Sequence, residues 1–227
     1  MSLTAGRKRG RPILLDREAV VSTTARLLAT AGVAGFSMRG LARELGVSTA
    51  AVYHHFPTRS ELFFAVLSAR ADELDRPPLP SDPRERLVAV VVYLIDTLHQ
   101  LPWVLDILVT GETFGRAAMW ILDEFVQAAH ELGADDEKAI YVYGVMWRFV
   151  LGELMTRRAA DERARATVAA GRPPRHWTDT ATAEMLADFP NVVRVLPQWS
   201  RSIARHDTTT ATRDMLDGLL PIGVENI

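Results

Sequence analysis

Apolar residues recur every three or four positions along most of this chain, and that spacing divides it into a succession of helices. Asp16 precedes the face Val20, Thr24, Leu27, Leu28 and Ala31, which Gly32 closes, so a first helix is expected with Asp16 as its cap. Ser37 precedes Met38, Leu41, Ala42 and Leu45, with Gly46 as the stop, and Ser48 opens a short third helix that reaches about His55 before Pro57. Thr58, Arg59, Ser60 and Glu61 have the form of a capping box. They start a fourth helix with Leu62, Phe63, Val66 and Leu67 on its inner side, which runs out at the proline-rich stretch 76–80. Asp82 followed by Pro83 marks a fifth start, with a core face of Leu87, Val90, Val91, Leu94, Ile95 and Leu98. Further helices are predicted at about 103–109, 115–132 and 136–159, and weaker ones near 180–187, 190–205 and 208–220; the segment 171–178 reads as a loop. No strand-like alternation persists and no internal repeat is present, so the predicted fold class is all-α.

The second and third helices, joined by Gly46, Val47 and Ser48, have the layout of a helix-turn-helix, with glycine where the chain must turn sharply. On the third helix Val52 and Phe56 lie one turn apart and, with Val47, face inward. That leaves Thr49, Ala50, Tyr53 and His54 as one outward stripe. Hydroxyls, an imidazole and a methyl group suit base edges, thymine methyls and phosphates. Arg39 and Arg59 are placed to hold the backbone on either side, and the helix starts at Ser37 and Ser48 present free N–H groups to a phosphate. Charge strengthens this reading. Residues 1–70 carry ten Lys/Arg against four Asp/Glu, a balance of +6, whereas the whole chain is −2 and the remainder therefore −8. At the front, Arg7, Lys8, Arg9 and Arg11 surround a glycine and end in Pro12, as in a flexible arm that enters an A·T-rich minor groove; a merely solvated tail is the other reading.

Leu41, Ala42, Leu45, Gly46, Val47 and Ser48, then Ala51, Tyr53, His55 and Phe56, then Glu61 and Leu62, resemble the N-terminal signature of the TetR family of transcriptional regulators. The resemblance covers roughly residues 16–70. It implies that Arg39, Thr49, Ala50, Tyr53, His54 and Arg59 face DNA, and that homodimers, usually repressors, bind a two-fold, pseudo-palindromic operator. The expected organisation is a basic arm (1–15), a helix-turn-helix domain (16–62) and a larger helical effector-binding and dimerisation domain (63–227), with a linking helix at about 59–76.

In the body of the chain, large aromatics concentrate between 103 and 149, and Trp103, Phe114, Trp120, Trp147 and Phe149 are candidates to border a pocket for a small hydrophobic effector. His99, Thr110, Glu112, His130 and Arg148 are polar neighbours that could orient it. The helix at 136–159 is apolar on nearly every side from Ala139 to Met155, with Gly144 and Gly152 on one flank, and is the first candidate for a homodimer seam. The last helix, through Met215, Leu216, Leu219 and Leu220, is the second.

Composition narrows the alternatives. Without cysteine there are no disulfides, thiolate metal sites or cysteine nucleophiles. No His-x-x-x-His or Glu-x-x-His pair and no phosphate-binding glycine loop is present. No catalytic, metal or cofactor residue is therefore assigned, and a helical enzyme acting on a small apolar substrate is a weaker reading. An effector-independent DNA-binding protein is the other alternative. The longest apolar region, Ile140 to Leu154, is broken by Arg148 and Glu153 and too short to cross a bilayer, so the chain reads as a soluble, cytoplasmic protein without a membrane partner.

Overall fold

The structure, a computed structural model, describes residues 15–171 and 177–220. Its elements are helices: α1 (Arg17–Gly35), α2 (Met38–Glu44), α3 (Thr49–His55), α4 (Arg59–Asp72), α5 (Pro83–Gln100), α6 (Pro102–Leu108), α7 (Met119–Glu131), α8 (Asp136–Ala170), α9 (Trp177–Thr180), α10 (Pro190–Val195), α11 (Trp199–Ile203) and α12 (Thr208–Leu219), with 3₁₀ turns at Arg116–Ala118 and Leu196–Gln198. There is no strand among the described residues. Most helix starts lie where a short polar side chain stands. Asp16, Ser37, Ser48, Thr58, Asp82, Asp135 and Asp207 each accept a hydrogen bond from a backbone N–H of the first turn. Gly32, at φ 67°, interrupts the helical geometry of α1 where the sequence places the stop.

Three expected helices come out differently. α8 continues eleven residues past 159 to Ala170, because the stretch 160–170, rich in Ala with Arg and Glu, favours helix without needing a buried face. It ends at Gly171, in the left-handed conformation at φ 67°. Residues 183–188 are turns rather than a helix. The helix expected over 190–205 is broken into α10, a 3₁₀ turn and α11, since Pro197 has no N–H to continue it.

The chain folds as two compact units. The described part of the first comprises residues 15–75 and 103–118. Its core joins α1 through Val20 and Leu28, α2 through Leu41, α3 through Val52 and Phe56, and α4 through Leu62 and Val66, all at most 1% exposed. Burying each such side chain contributes on the order of 2 kcal/mol. The stretch after α6 docks on α4 by close backbone approach: a Cβ on Gly115 would stand 3.0 Å from the Leu67 carbonyl oxygen. Beside it the Arg116 N–H donates to Ser68 Oγ at 3.0 Å, and Phe114 meets Phe64 edge-on at 5.3 Å between centroids.

In the second unit α5 packs against α7, α8 and α12, while α8 also packs on α7 and α12. Ala128, Ala129 and Ala139, all fully buried, let α7 and α8 approach closely, and Phe125 meets Tyr143 edge-on beside them. One row of α8 is buried: Ala139, Val142, Met146, Val150 and Leu154. Polar links then fix the outer helices. Arg84 pairs with Asp217, and Arg213 grips both Glu85 oxygens, at 3.1 and 2.9 Å, so the first turn of α5 holds α12. Further along, Arg157 of α8 donates to Asp96 of α5 at 2.8 Å, to Glu153 at 3.0 Å and to Thr208 of α12 at 2.9 Å. Thr208 Oγ1 in turn donates to Glu153 at 2.7 Å.

Burial by itself would raise the Glu153 pKa. The hydrogen bonds from Thr208 and Arg157, with the charges of His206 and Arg157, outweigh it and hold the carboxyl below the ordinary glutamate value. A carboxyl with a depressed folded-state pKa stabilises the fold fully above its unfolded-state value, and that contribution is lost as pH falls through the folded-state value. Glu153→Gln should therefore lower the thermal midpoint by about 3 °C at neutral pH. The gap to the wild type should close as pH falls below the ordinary glutamate value and through the lowered value of Glu153. Melting curves followed by circular dichroism across that range check this; a gap independent of pH would contradict it.

Candidate nucleic-acid interface

α2 and α3 are seven residues each, too short to persist in water unaided. Local chemistry sets their ends. Ser37 Oγ accepts from Gly40 N–H at 3.0 Å and Ser48 Oγ from Ala51 N–H at 3.2 Å, so both hydroxyls serve as caps. Between the helices Gly46 takes φ 69°, a conformation in which a Cβ is strained, and the Val47 N–H closes the turn onto the Ala42 carbonyl at 3.0 Å. Val52 and Phe56 then anchor α3 from one side with no exposed surface. The opposite side carries Ala50, Tyr53 and His54, all exposed, with Thr49 half-buried at its margin. Tyr53 keeps 46% of its surface in solvent, unusual for an aromatic residue beside a closed core. The stripe read from the sequence is thus brought together on one face.

The arginines divide into two kinds. Arg39 and Arg43 are one turn apart on α2, both exposed, and neither side chain bonds or pairs with a described residue. The sequence reading passes over Arg43, although its position four residues after Arg39 is the signal. Arg59 and Arg17, by contrast, are engaged within the unit. Arg59 donates to the Val33 carbonyl at 2.9 Å, and its guanidinium lies 4.8 Å from the Phe63 ring centre and 5.5 Å from that of Phe36. Arg17 donates to the His55 carbonyl at 2.9 Å and covers the Phe56 ring at 4.1 Å. Nothing in the sequence singled out Arg17, because its partners lie 38 and 39 positions away. Arg7, Arg9 and Arg11 lie outside the described residues.

The five aromatics suggested for an effector pocket do not share one unit. Trp103, 7% exposed, and Phe114, 47% exposed, belong to the first; Trp120, Trp147 and Phe149 belong to the second, where all three are half-buried. None of the five rings stacks on another of the five. Trp120 instead meets Tyr93 of α5 at 5.5 Å, with the Arg76 guanidinium 5.4 Å above the indole. The polar neighbours also have partners: His99 pairs with Asp161 at 2.8 Å, His130 with Asp136 at 3.1 Å, and Arg148 donates to the Gly144 carbonyl at 2.7 Å. No group of three or more potential metal ligands occurs among the described residues. Nor is any single described helix long and apolar enough to cross a membrane.

On α8, the side opposite the buried row presents Ile140 at 69% exposure, Tyr141 at 58% and Met155 at 70%. A Cβ built on Gly152 of that helix would touch nothing within 4 Å. In α12, Leu216 and Leu220 are buried within the unit, leaving Met215 and Leu219 half-buried.

Comparison with known proteins gives two family matches. Residues 20–66 match the family described as bacterial regulatory proteins, tetR family, and residues 77–219 match the tetracyclin repressor-like C-terminal domain. The HTH-type transcriptional repressor DrrR1 of Streptomyces coeruleorubidus is 26% identical over 161 residues, 68% of this chain and 57% of that protein. The chain thus spans little more than half the length of that relative. Among solved structures, ActR of Streptomyces coelicolor in complex with actinorhodin has a TM-score of 0.68 at 23% identity, covering 91% of this chain and 97% of that one. BioQ with its double-stranded DNA operator has a TM-score of 0.53 at 26% identity, covering 69% and 93%.

Proposed function

The chain belongs to the TetR family of bacterial regulatory proteins, and from that membership we propose a repressor that reads a pseudo-palindromic operator with α3 and releases it when the second unit binds a small apolar effector. The observation that carries the DNA reading is the exposed face of α3, with Tyr53 at 46% exposure beside His54 and Ala50, on a helix whose other side is held by fully buried Val52. A rigidly seated helix with a free polar stripe suits the major groove, which admits one helix and displays a distinct pattern for each base pair. In this reading Tyr53, His54 and Thr49 meet base edges, and Ala50 meets a thymine methyl. Arg39 and Arg43 bind phosphates, with Ser37 and Ser48 setting the helix starts that approach the backbone. Arg7, Arg9 and Arg11 supply further charge from the arm. In this reading Arg59 ties the start of α4 to α1 through its bond to the Val33 carbonyl. The operator-bound BioQ and the name of DrrR1 favour DNA binding and repression.

A two-fold operator requires two copies of α3, and the second copy supplies them by closing an isologous dimer. We assign the seam to the outer side of α8, where Ile140, Gly144, Arg148, Gly152 and Met155 follow at four- or three-residue spacing, flanked by Met215 and Leu219 of α12. An obligate interface of that kind buries on the order of 2,000 Å². The effector is assigned to the second unit, beside Trp120, Trp147 and Phe149, whose half-buried faces offer stacking area to a planar apolar molecule. ActR, whose fold this chain shares, is known in complex with actinorhodin, which favours an effector of that planar kind. Release of DNA then needs only that the effector bind the non-reading arrangement better than the reading one.

Three outcomes are expected. Selection from random duplexes should recover a pseudo-palindrome, and Tyr53→Ala with His54→Ala should weaken its binding by at least about tenfold with helical circular dichroism intact; unchanged affinity would remove α3 from the interface. Sedimentation should show a dimer at micromolar concentration and a monomer for Met155→Arg; a wild-type monomer, or a dimeric variant, would refute the α8 seam. In a screen of apolar metabolites, an effector should alter tryptophan fluorescence and release the selected duplex over one concentration range. Trp120→Ala should weaken both effects together, and a Trp120→Ala protein that responds like the wild type would displace the assigned site.

A further inference from the structure

The seven-residue helix α3 has one fully buried residue, Val52, and Phe56 directly after its end is the second fully buried anchor on the same side. Phe56, the residue after the helix, closes its end by donating its N–H to the Val52 carbonyl at 3.0 Å, but leaves the carbonyls of the last turn open. That end has a specific deficit: the last carbonyls of a helix have no partner within it. Arg17, the first residue of α1, meets this need in two ways at once. Its NH1 group donates to the His55 carbonyl at 2.9 Å, and its guanidinium carbon lies over Phe56, 4.1 Å from the ring centre. A positive charge at a helix C-terminus also complements the helix dipole.

The residues immediately before His55 are Tyr53 and His54. The pitch of the last turn decides where both side chains point, so a clamp on the His55 carbonyl and on the following ring sets the aim of the exposed stripe. The Arg17 guanidinium is bonded within its own unit, whereas those of Arg39 and Arg43 bond to no described residue.

We propose that Arg17 is a positioning residue for sequence discrimination: it holds the end of α3 at the angle that Tyr53 and His54 need to read bases, and does not work as a phosphate contact. The inference rests on the reading of α3 as the DNA-reading helix. It makes a chemical distinction that a charge-conserving replacement exposes. Lysine keeps the positive charge near DNA but lacks the planar group that stacks on Phe56 while donating to a carbonyl.

The test uses the full-length protein and two duplexes: the sequence recovered from random oligonucleotides by the wild type, and a scrambled duplex of equal length and composition. Affinity for each is measured across a salt series for the wild type, Arg17→Lys, Arg17→Ala and Tyr53→Ala/His54→Ala. For Arg17→Lys the preference for the selected duplex should fall about tenfold, as expected for losing one hydrogen bond and one cation–π contact. Its affinity for the scrambled duplex and its salt dependence should remain those of the wild type. Arg17→Ala should lose the same preference. If Arg17→Lys discriminates like the wild type while Arg17→Ala weakens on both duplexes with a salt slope shallower by about one, Arg17 is a phosphate contact and the proposal is overturned. A loss of preference in Arg17→Lys accompanied by a matching loss of helical signal at the assay temperature also overturns it, since the role is then only structural. Unchanged preference in both Arg17 variants, with preference lost in Tyr53→Ala/His54→Ala, refutes the clamp but leaves the reading of α3 standing. Preference retained in the Tyr53 and His54 variant removes that reading, and the clamp with it.

Discussion

Seven residues of helix cannot hold their shape in water, and the first unit is organised around that constraint. α3 exists because Val52 and Phe56 are pulled wholly out of solvent, with Ser48 capping its start and Arg17 closing its end. The same requirement explains why Tyr53 can remain exposed: the helix gains its stability from the opposite side, so its free face is available for polar chemistry. Arg59 repeats the device of Arg17 at the other end of α1, pairing a backbone carbonyl with aromatic rings. Both arginines show that lying in a basic helix-turn-helix unit does not decide what a cation does. The carbonyl or phosphate within its reach decides.

In the second unit the dominant element is α8, 35 residues long and about 50 Å from end to end at the usual rise of an α-helix. Its buried row ends at Leu154, and beyond it the polar cluster of Glu153, Arg157, Asp96 and Thr208 replaces apolar packing as the link to α5 and α12. A charged cluster of this kind stabilises only while every member is satisfied. It therefore ties the register of three helices to one another more strictly than leucine contacts do.

Much of the architecture was legible because it is written in short-range chemistry. A cap bonds a backbone N–H two or three residues ahead, so Asp16, Ser37, Ser48, Thr58 and Asp82 announce their helices without any knowledge of the tertiary fold. The stripe on α3 was legible for the same reason, since periodicity alone puts Val52 and Phe56 opposite His54. What resisted reading was whatever needs partners far along the chain or no partner at all. Arg17 and Arg59 find theirs 38 and 26 positions away. The end of α8 has no apolar face to trace, and the turns at 183–188 carry Met185 exposed, so its hydrophobicity marked nothing buried. The aromatics at 103–149 were close in sequence, but Trp103 and Phe114 fold with the first unit and Trp120 with the second.

That interleaving limits how the protein can be divided. The first unit takes in residues 103–118, so the polypeptide enters the second unit after Asp75, returns after Pro102 and leaves again after Ala118. A fragment ending at residue 75 would carry α1 to α4 but strip the cover from the Leu67 and Ser68 side of α4, where Gly115 lies against the backbone and Arg116 donates its N–H. Chimaeras assembled by joining one relative's N-terminal segment to another's body at that linker would inherit a mismatched cover. The workable module for grafting a new operator preference is accordingly the pair of segments, with their small residue at 115, and not the contiguous N-terminus.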